Sequence, residues 1–197
     1  EACGGMAEII GNGTAHIEDA QVQITGGDMA YVYGGEAFII GNGTARVERS
    51  VVEITDITLL AYVYGGKTSI EGNSDVAAET SGNSVTITGG TFNTFSELYG
   101  GFTHAESRGA NADAKANSNR LSFTTGAELA KLYGGYAETL VQDTITMEAN
   151  DNELTAKAKA DSFFGGCAKS NQIVTGSAVQ RSTAAANRNR VEIQTGS

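Results

Sequence analysis

An aromatic residue followed by two glycines recurs along this chain at a nearly constant interval, and that recurrence dictates what the chain can fold into. The copies are Tyr33-Gly34-Gly35, Tyr64-Gly65-Gly66, Tyr99-Gly100-Gly101, Tyr133-Gly134-Gly135 and Phe164-Gly165-Gly166. Cys3-Gly4-Gly5 is a sixth, with the ring replaced. A second marker is a short alternating segment between successive glycine pairs: Val22-x-Ile24, Val52-x-Ile54, Val85-x-Ile87, Leu121-x-Phe123, Leu154-x-Ala156 and Val191-x-Ile193. Two residues before each of these stand Ala20, Ser50, Asn83, Asn119, Asn152 and Asn189. Three unrelated markers in the same order through six copies define a tandem repeat of about 32 residues.

Period-two alternation is the signature of a strand with one buried face. Helical periodicity is nowhere sustained. The chain has 26 glycines in 197 residues and no proline. That composition suits short strands joined by tight turns and disfavours helices. Helical repeats of similar length are therefore excluded, and propeller blades are longer, with four strands each. What remains is an all-β parallel solenoid in which each repeat is one rung. About six rungs of roughly 32 residues are expected, over a single repeat domain spanning 1–197.

Stacking turns each repeated position into a column. Val22, Val52, Val85, Leu121, Leu154 and Val191 are expected to line the interior, and Ala7, Ala37, Thr68, Thr103, Ala137 and Ala168 to mark a narrow place in the coil. Asn83, Asn119, Asn152 and Asn189 resemble an asparagine ladder, each amide bonding the next. The glycine pairs mark a bend or bulge where no Cβ fits. Of the two columns before them, Val32, Val63, Leu98, Leu132 and Phe163 are expected inside, and the tyrosines on the surface. The stretches 103–118 and 171–187 read as looser rung edges or loops that absorb the variation in repeat length.

The pattern Val-x-Ile-x-Gly-Gly followed by Leu-Tyr-Gly-Gly, clearest from Val85 to Gly101, resembles the repeats of bacterial autotransporter passenger domains. It is also similar to other large right-handed parallel β-helix surface proteins. The resemblance covers essentially the whole chain and implies a right-handed β-helix that is secreted or held at a cell surface as a stalk or adhesin. It implies no functional residues, because the shared positions are those that form the coil. The chain is expected to be a segment of a longer solenoid or a unit that stacks end to end.

The formal charge of −10 argues against a nucleic-acid partner, which needs a basic face. The apolar runs are too short to span a bilayer, so no membrane insertion is expected within this segment. Parallel β-helices also act as polysaccharide lyases and glycoside hydrolases, which need carboxylates on adjacent rungs. Glu53 and Glu192 face outward but lie four rungs apart. Asp113, Asp143, Glu148, Asp151 and Glu153 are a looser acidic group, read as solvated. His16, His104, Cys3 and Cys167 have no zinc-like spacing. No catalytic, metal or cofactor residues are therefore assigned. An outward threonine array (Thr25, Thr55, Thr86, Thr88, Thr124, Thr155) is interrupted by Gln23 and Glu53 and is read as ordinary strand surface. The remaining candidate surface is the aromatic stripe of Tyr33, Tyr64, Tyr99 and Tyr133, flanked by Tyr31 and Tyr62, for a glycan or protein ligand. A buried structural role for part of that stripe is the competing reading.

Overall fold

The computed structural model describes residues 1–141, 144–172 and 182–194. Its strands are parallel and stack as a β-solenoid of about five turns rather than six rungs. The difference has a simple origin, since six glycine pairs enclose five complete coils. One turn runs through three strands, Asp28–Ile40, Gly43–Glu48 and Val51–Thr55. The next repeats them as Thr58–Gly72, Val76–Ser81 and Ser84–Thr88. Farther along, the alternating segment and the glycine-bearing strand run on as one, in Arg120–Val141 and Glu153–Gln172.

The expected columns form. Val22, Val52, Val85, Leu121, Leu154 and Val191 lie in register from turn to turn, and Val52, Val85, Leu121 and Leu154 are buried as expected, whereas Val191, expected inside, is 43% exposed. So do Ala7, Ala37, Thr68, Thr103, Ala137 and Ala168. Val32, Val63, Leu98 and Leu132 are completely buried. The tyrosine column thus faces the other way, as alternation along a strand requires.

The glycine pair is a bend. A Cβ built on Gly34 would meet Val52 and Ser50, and one on Gly35 would meet Ile17, Val47 and Ser50. Two successive residues therefore point inward, and the in–out phase of the strand shifts by one. Val32 is inside before the bend, Ala37 and Ile39 after it. The wall is drawn in here until it touches the asparagine ladder. A Cβ on Gly101 would lie 2.5 Å from Cγ and Nδ2 of Asn119, and one on Gly66 2.6 Å from Nδ2 of Asn83. This waist divides the interior into two apolar cores. One gathers Ala37, Ile39, Val47, Ile70 and their columns, and the other Val32, Val52, Ile54, Leu98 and theirs.

The ladder itself is continuous and directional. The Ser50 backbone N–H donates to Asn83 Oδ1 at 2.9 Å, that of Asn83 to Asn119 Oδ1 at 3.1 Å, that of Asn119 to Asn152 Oδ1 at 2.9 Å, and that of Asn152 to Asn189 Oδ1 at 2.8 Å. Each amide Nδ2 also donates to a backbone carbonyl of the preceding turn: Asn83 to Val47, Asn119 to Thr80, Asn152 to Ala116 and Asn189 to Ala149. The residue before each ladder position turns the corner with positive φ. These are Asp19, Arg49, Gly82, Ser118, Asp151 and Arg188, and only one is glycine. Side-chain bonds across the corner, Arg49 to Asp19 at 2.9 Å and Arg188 to Asp151 at 2.6 Å, help hold two of these pairs in place.

Residues 103–118 are not a loose edge. They fall mostly in two strands, Glu97–Ser107 and Ala112–Asn117, with Ala112, Ala114 and Ala116 packed inside. Alanine, a weak strand former by propensity, is held there by burial against its column neighbours. Extra length enters at the corners, one residue of it at 108–111, between these two strands. Glu71 and Val76 pair with Ile40 and Gly43, and Phe92 and Glu97 pair with Leu59 and Tyr62, so two residues are added at each of two turns. Much of 171–187, and Asp143, lie outside the described residues.

Candidate functional site: the aromatic furrow

Because both glycines point inward, the residues on either side of them, positions 33 and 36 of each turn, both point outward and lean together. Two columns result. The first is Cys3, Tyr33, Tyr64, Tyr99, Tyr133 and Phe164; the second is Met6, Glu36, Lys67, Phe102, Tyr136 and Cys167. In the first column the rings are stacked nearly parallel. Centroids are 5.3 Å apart for Tyr33 and Tyr64, 5.0 Å for Tyr64 and Tyr99, 4.8 Å for Tyr99 and Tyr133, and 4.9 Å for Tyr133 and Phe164. The spacing follows from the inter-strand distance of about 4.8 Å, which leaves a flat ring little choice but to stack on its neighbour.

Edge contacts join the columns. Phe102 meets Tyr64 and Tyr99, and Tyr136 meets Tyr99 and Tyr133, with centroids between 5.0 and 5.9 Å. Lys67 Nζ lies 5.1 Å from the centroid of Tyr33 and 5.5 Å from that of Tyr64, and bonds Glu36 at 2.7 Å. Tyr33, Tyr64, Tyr99 and Tyr133 consequently keep only 6–8% of their surface exposed. The expected stripe exists and faces outward, but its ring faces cover one another. What it offers to solvent is a line of ring edges and hydroxyls. Tyr31, stacked on Tyr33 and Tyr62, and Phe164, at the end of the column, are its exposed rings.

Carboxylates border the furrow. The Tyr99 hydroxyl donates to Glu97, which also pairs with Lys131 at 3.1 Å. The Tyr136 hydroxyl donates to Glu138 Oε2 at 2.9 Å, and His104 Nδ1 lies 3.0 Å from Glu138 Oε1. Burial pushes the Glu138 carboxyl up, but the bonds from His104 and Tyr136 outweigh it and hold the group below the ordinary value. Burial, reinforced by Glu36, pushes the Tyr33 phenol up to about 12. Burial likewise raises Tyr64, Tyr99, Tyr133 and Tyr136, with the Glu97 bond adding to the effect at Tyr99. Cys167 is raised by burial as well, against the pull of Lys169.

The other sequence candidates are coil-forming residues. Gly34, Gly35, Gly65, Gly66, Gly100, Gly101, Gly134, Gly135, Gly165 and Gly166 make the bend, and Asn83, Asn119, Asn152 and Asn189 the ladder it touches. Three of the loose acidic residues are engaged in ion pairs instead of converging: Asp113 with Lys115, Asp151 with Arg188 and Glu153 with Arg120. Among the described residues, no three of His, Cys, Asp or Glu come together in a way that could hold a metal ion. Cys3 and Cys167 are both free thiols. Among the described residues, no helix is long and apolar enough to cross a membrane. Sequence reasoning missed the second furrow column. Its signal was the residue directly after each glycine pair, whose identity changes at every copy.

No protein-family model, no curated protein and no solved structure matches this chain.

Proposed function

We propose that this chain is a rigid extracellular or cell-surface segment, a β-solenoid stalk that presents a binding surface to a glycan or protein. The observation that carries this reading is the unbroken axial bonding. Strands, asparagine amides and aromatic rings all run in register from turn to turn, so bending the coil must strain several ladders at once. A chain that spends most of its described residues on such ladders is suited to holding distance and shape. The resemblance to autotransporter passengers supports placing it outside the cell.

Antibody labelling of intact cells of the source organism tests the location. Label on unpermeabilised cells, removable by external protease, is the expected result; label only after permeabilisation would overturn it. Incubating the purified chain with surface and matrix polysaccharides tests the role. Retention without new reducing ends or unsaturated uronides is expected. Their release would instead favour a polysaccharide lyase or hydrolase. End-to-end self-association would show as rods that lengthen with concentration, and would replace the stalk by a filament subunit.

A further inference from the structure

A second surface adjoins the furrow on the same outer face of the coil. Past the glycine bend, the strand Asp28–Ile40 turns Glu36, Phe38 and Ile40 outward. The turn before sets Met6, Glu8 and Ile10 beside them, and the turn after sets Lys67, Ser69 and Glu71. Met6, Ile10, Phe38 and Ile40 thus form one apolar patch. In later turns the columns of Phe38 and Ile40 become polar, with Ser69 and Glu71, then His104 and Glu106. Ile40 is 47% exposed although Ile10 and Glu71 flank it on both sides, so its exposure owes nothing to the edge of the stack. Two hollows open in the patch. One, of about 150 Å³, lies among Met6, Glu8, Glu36 and Phe38; the other, of about 270 Å³, lies among Ile40, Glu71, Asn73 and Arg108.

Charge decides what this groove can take. Lys67 is held by Glu36 at 2.7 Å, and Arg108 by Glu106 at 3.1 Å. Glu8 and Glu71, one beside each hollow, are exposed and form no ion pair among the described residues. A ligand that covers Phe38 and Ile40 strips water from both carboxylates and must supply cations in return. A sugar would also strand its hydroxyls against these apolar side chains. Resting on the reading of this chain as one that presents a binding surface, we propose that the groove docks an extended, cationic segment of a partner protein. Its central apolar side chain covers Phe38 and Ile40, with a lysine or arginine two residues away on each side. The spacing fits. Glu8 and Glu71 stand two turns and two residues apart, or about 12 Å at the strand spacing and rise, and the midpoint falls between Phe38 and Ile40. An extended peptide puts residues i, i+2 and i+4 on one face, with the outer two about 13 Å apart. One cation meets Glu8 and lays its stem on Met6 and Phe38, while the other meets Glu71 with its stem on Ile40.

The test titrates the whole chain against a fluorescein-labelled peptide, Thr-Lys-Thr-Leu-Thr-Lys-Thr with blocked ends, followed by fluorescence anisotropy. Saturable binding is expected. Ile40→Ser should weaken it about tenfold, as should joint Glu8→Gln and Glu71→Gln substitution, or serine in place of the peptide's leucine. Glu53→Gln, which removes a carboxylate from another face of the coil, should leave binding unchanged. Circular dichroism checks that each variant is folded, and the joint glutamate substitution carries the test should Ile40→Ser unfold. Absence of saturable binding at millimolar chain, or undiminished binding after the joint substitution, would overturn the proposal. So would displacement of the peptide by cellohexaose, which would put a glycan in the groove, or self-association that Ile40→Ser abolishes, which would put a second copy there. Each of these results leaves the cell-surface location standing. Antibody label confined to permeabilised cells would sink that location without altering the peptide result.

Discussion

Asn119 illustrates how much one side chain can hold in a solenoid. It is fully buried, its Oδ1 accepts from both the backbone N–H and the Nδ2 of Asn83, and its own Nδ2 donates to Thr80. Asn119→Ala strands the Asn83 N–H and the Thr80 carbonyl where water cannot reach them. At about 1–3 kcal/mol for each buried polar group left unpaired, the loss should be about 3 kcal/mol in a urea melt. Ser50 sits in the same column but is too short to continue the ladder, and its buried Oγ has no partner. Ser50→Asn should place an amide beneath Gly35 as Asn83 lies beneath Gly66, with the Ile17 carbonyl in the role that Val47 plays one turn on. A gain of about 1 kcal/mol in the same melt is expected. If the asparagine variant proves weaker, the corner at Ser50 differs from its neighbours in a way the register does not convey.

Among the elements, the glycine bend shapes everything outside it. Gly101→Ala would push a methyl into the Asn119 amide, and the strand could relieve the clash only by opening the waist. Overpacking of this kind costs about 1–3 kcal/mol, and it should also loosen the contact of Phe102 with Tyr99, visible as a change in near-ultraviolet circular dichroism. The bend was legible in the sequence because glycine pairs recur at one place in every repeat. The membership of each column was legible for a related reason, since alternation and the three markers together set the register. What the sequence did not convey was the crowding of the tyrosines. Their burial comes from the turns above and below and from the second furrow column, where Met6, Glu36, Lys67, Phe102, Tyr136 and Cys167 share no side-chain type. The composition of residues 103–118 misled for the opposite reason. Alanine alternating with Asp113 and Lys115 reads as loop by propensity, yet Ala112, Ala114 and Ala116 all face the core.

On the scale of the whole molecule, the furrow ties stability to alkaline pH. An unfolded tyrosine ionises near its ordinary value of 10, whereas Tyr33 in the column does so only at about 12, and its four buried neighbours are raised too. Between those values the folded chain binds more protons than the unfolded one, so stability falls as pH rises. It is fully present below pH 10 and is lost progressively from there upward. Denaturation midpoints followed alongside phenolate absorbance should drop together above that pH, and a midpoint unmoved up to pH 12 would mean the rings are less sheltered than their stacking implies. The asparagine ladder adds a direction to the whole. Every amide oxygen receives its bond from the turn before it, so a corner is completed only by residues that lie farther along the chain. A polypeptide leaving the ribosome would therefore carry its one unfinished corner always at the newest coil, closing each in turn as the next is made, much as a zip is held shut behind its slider.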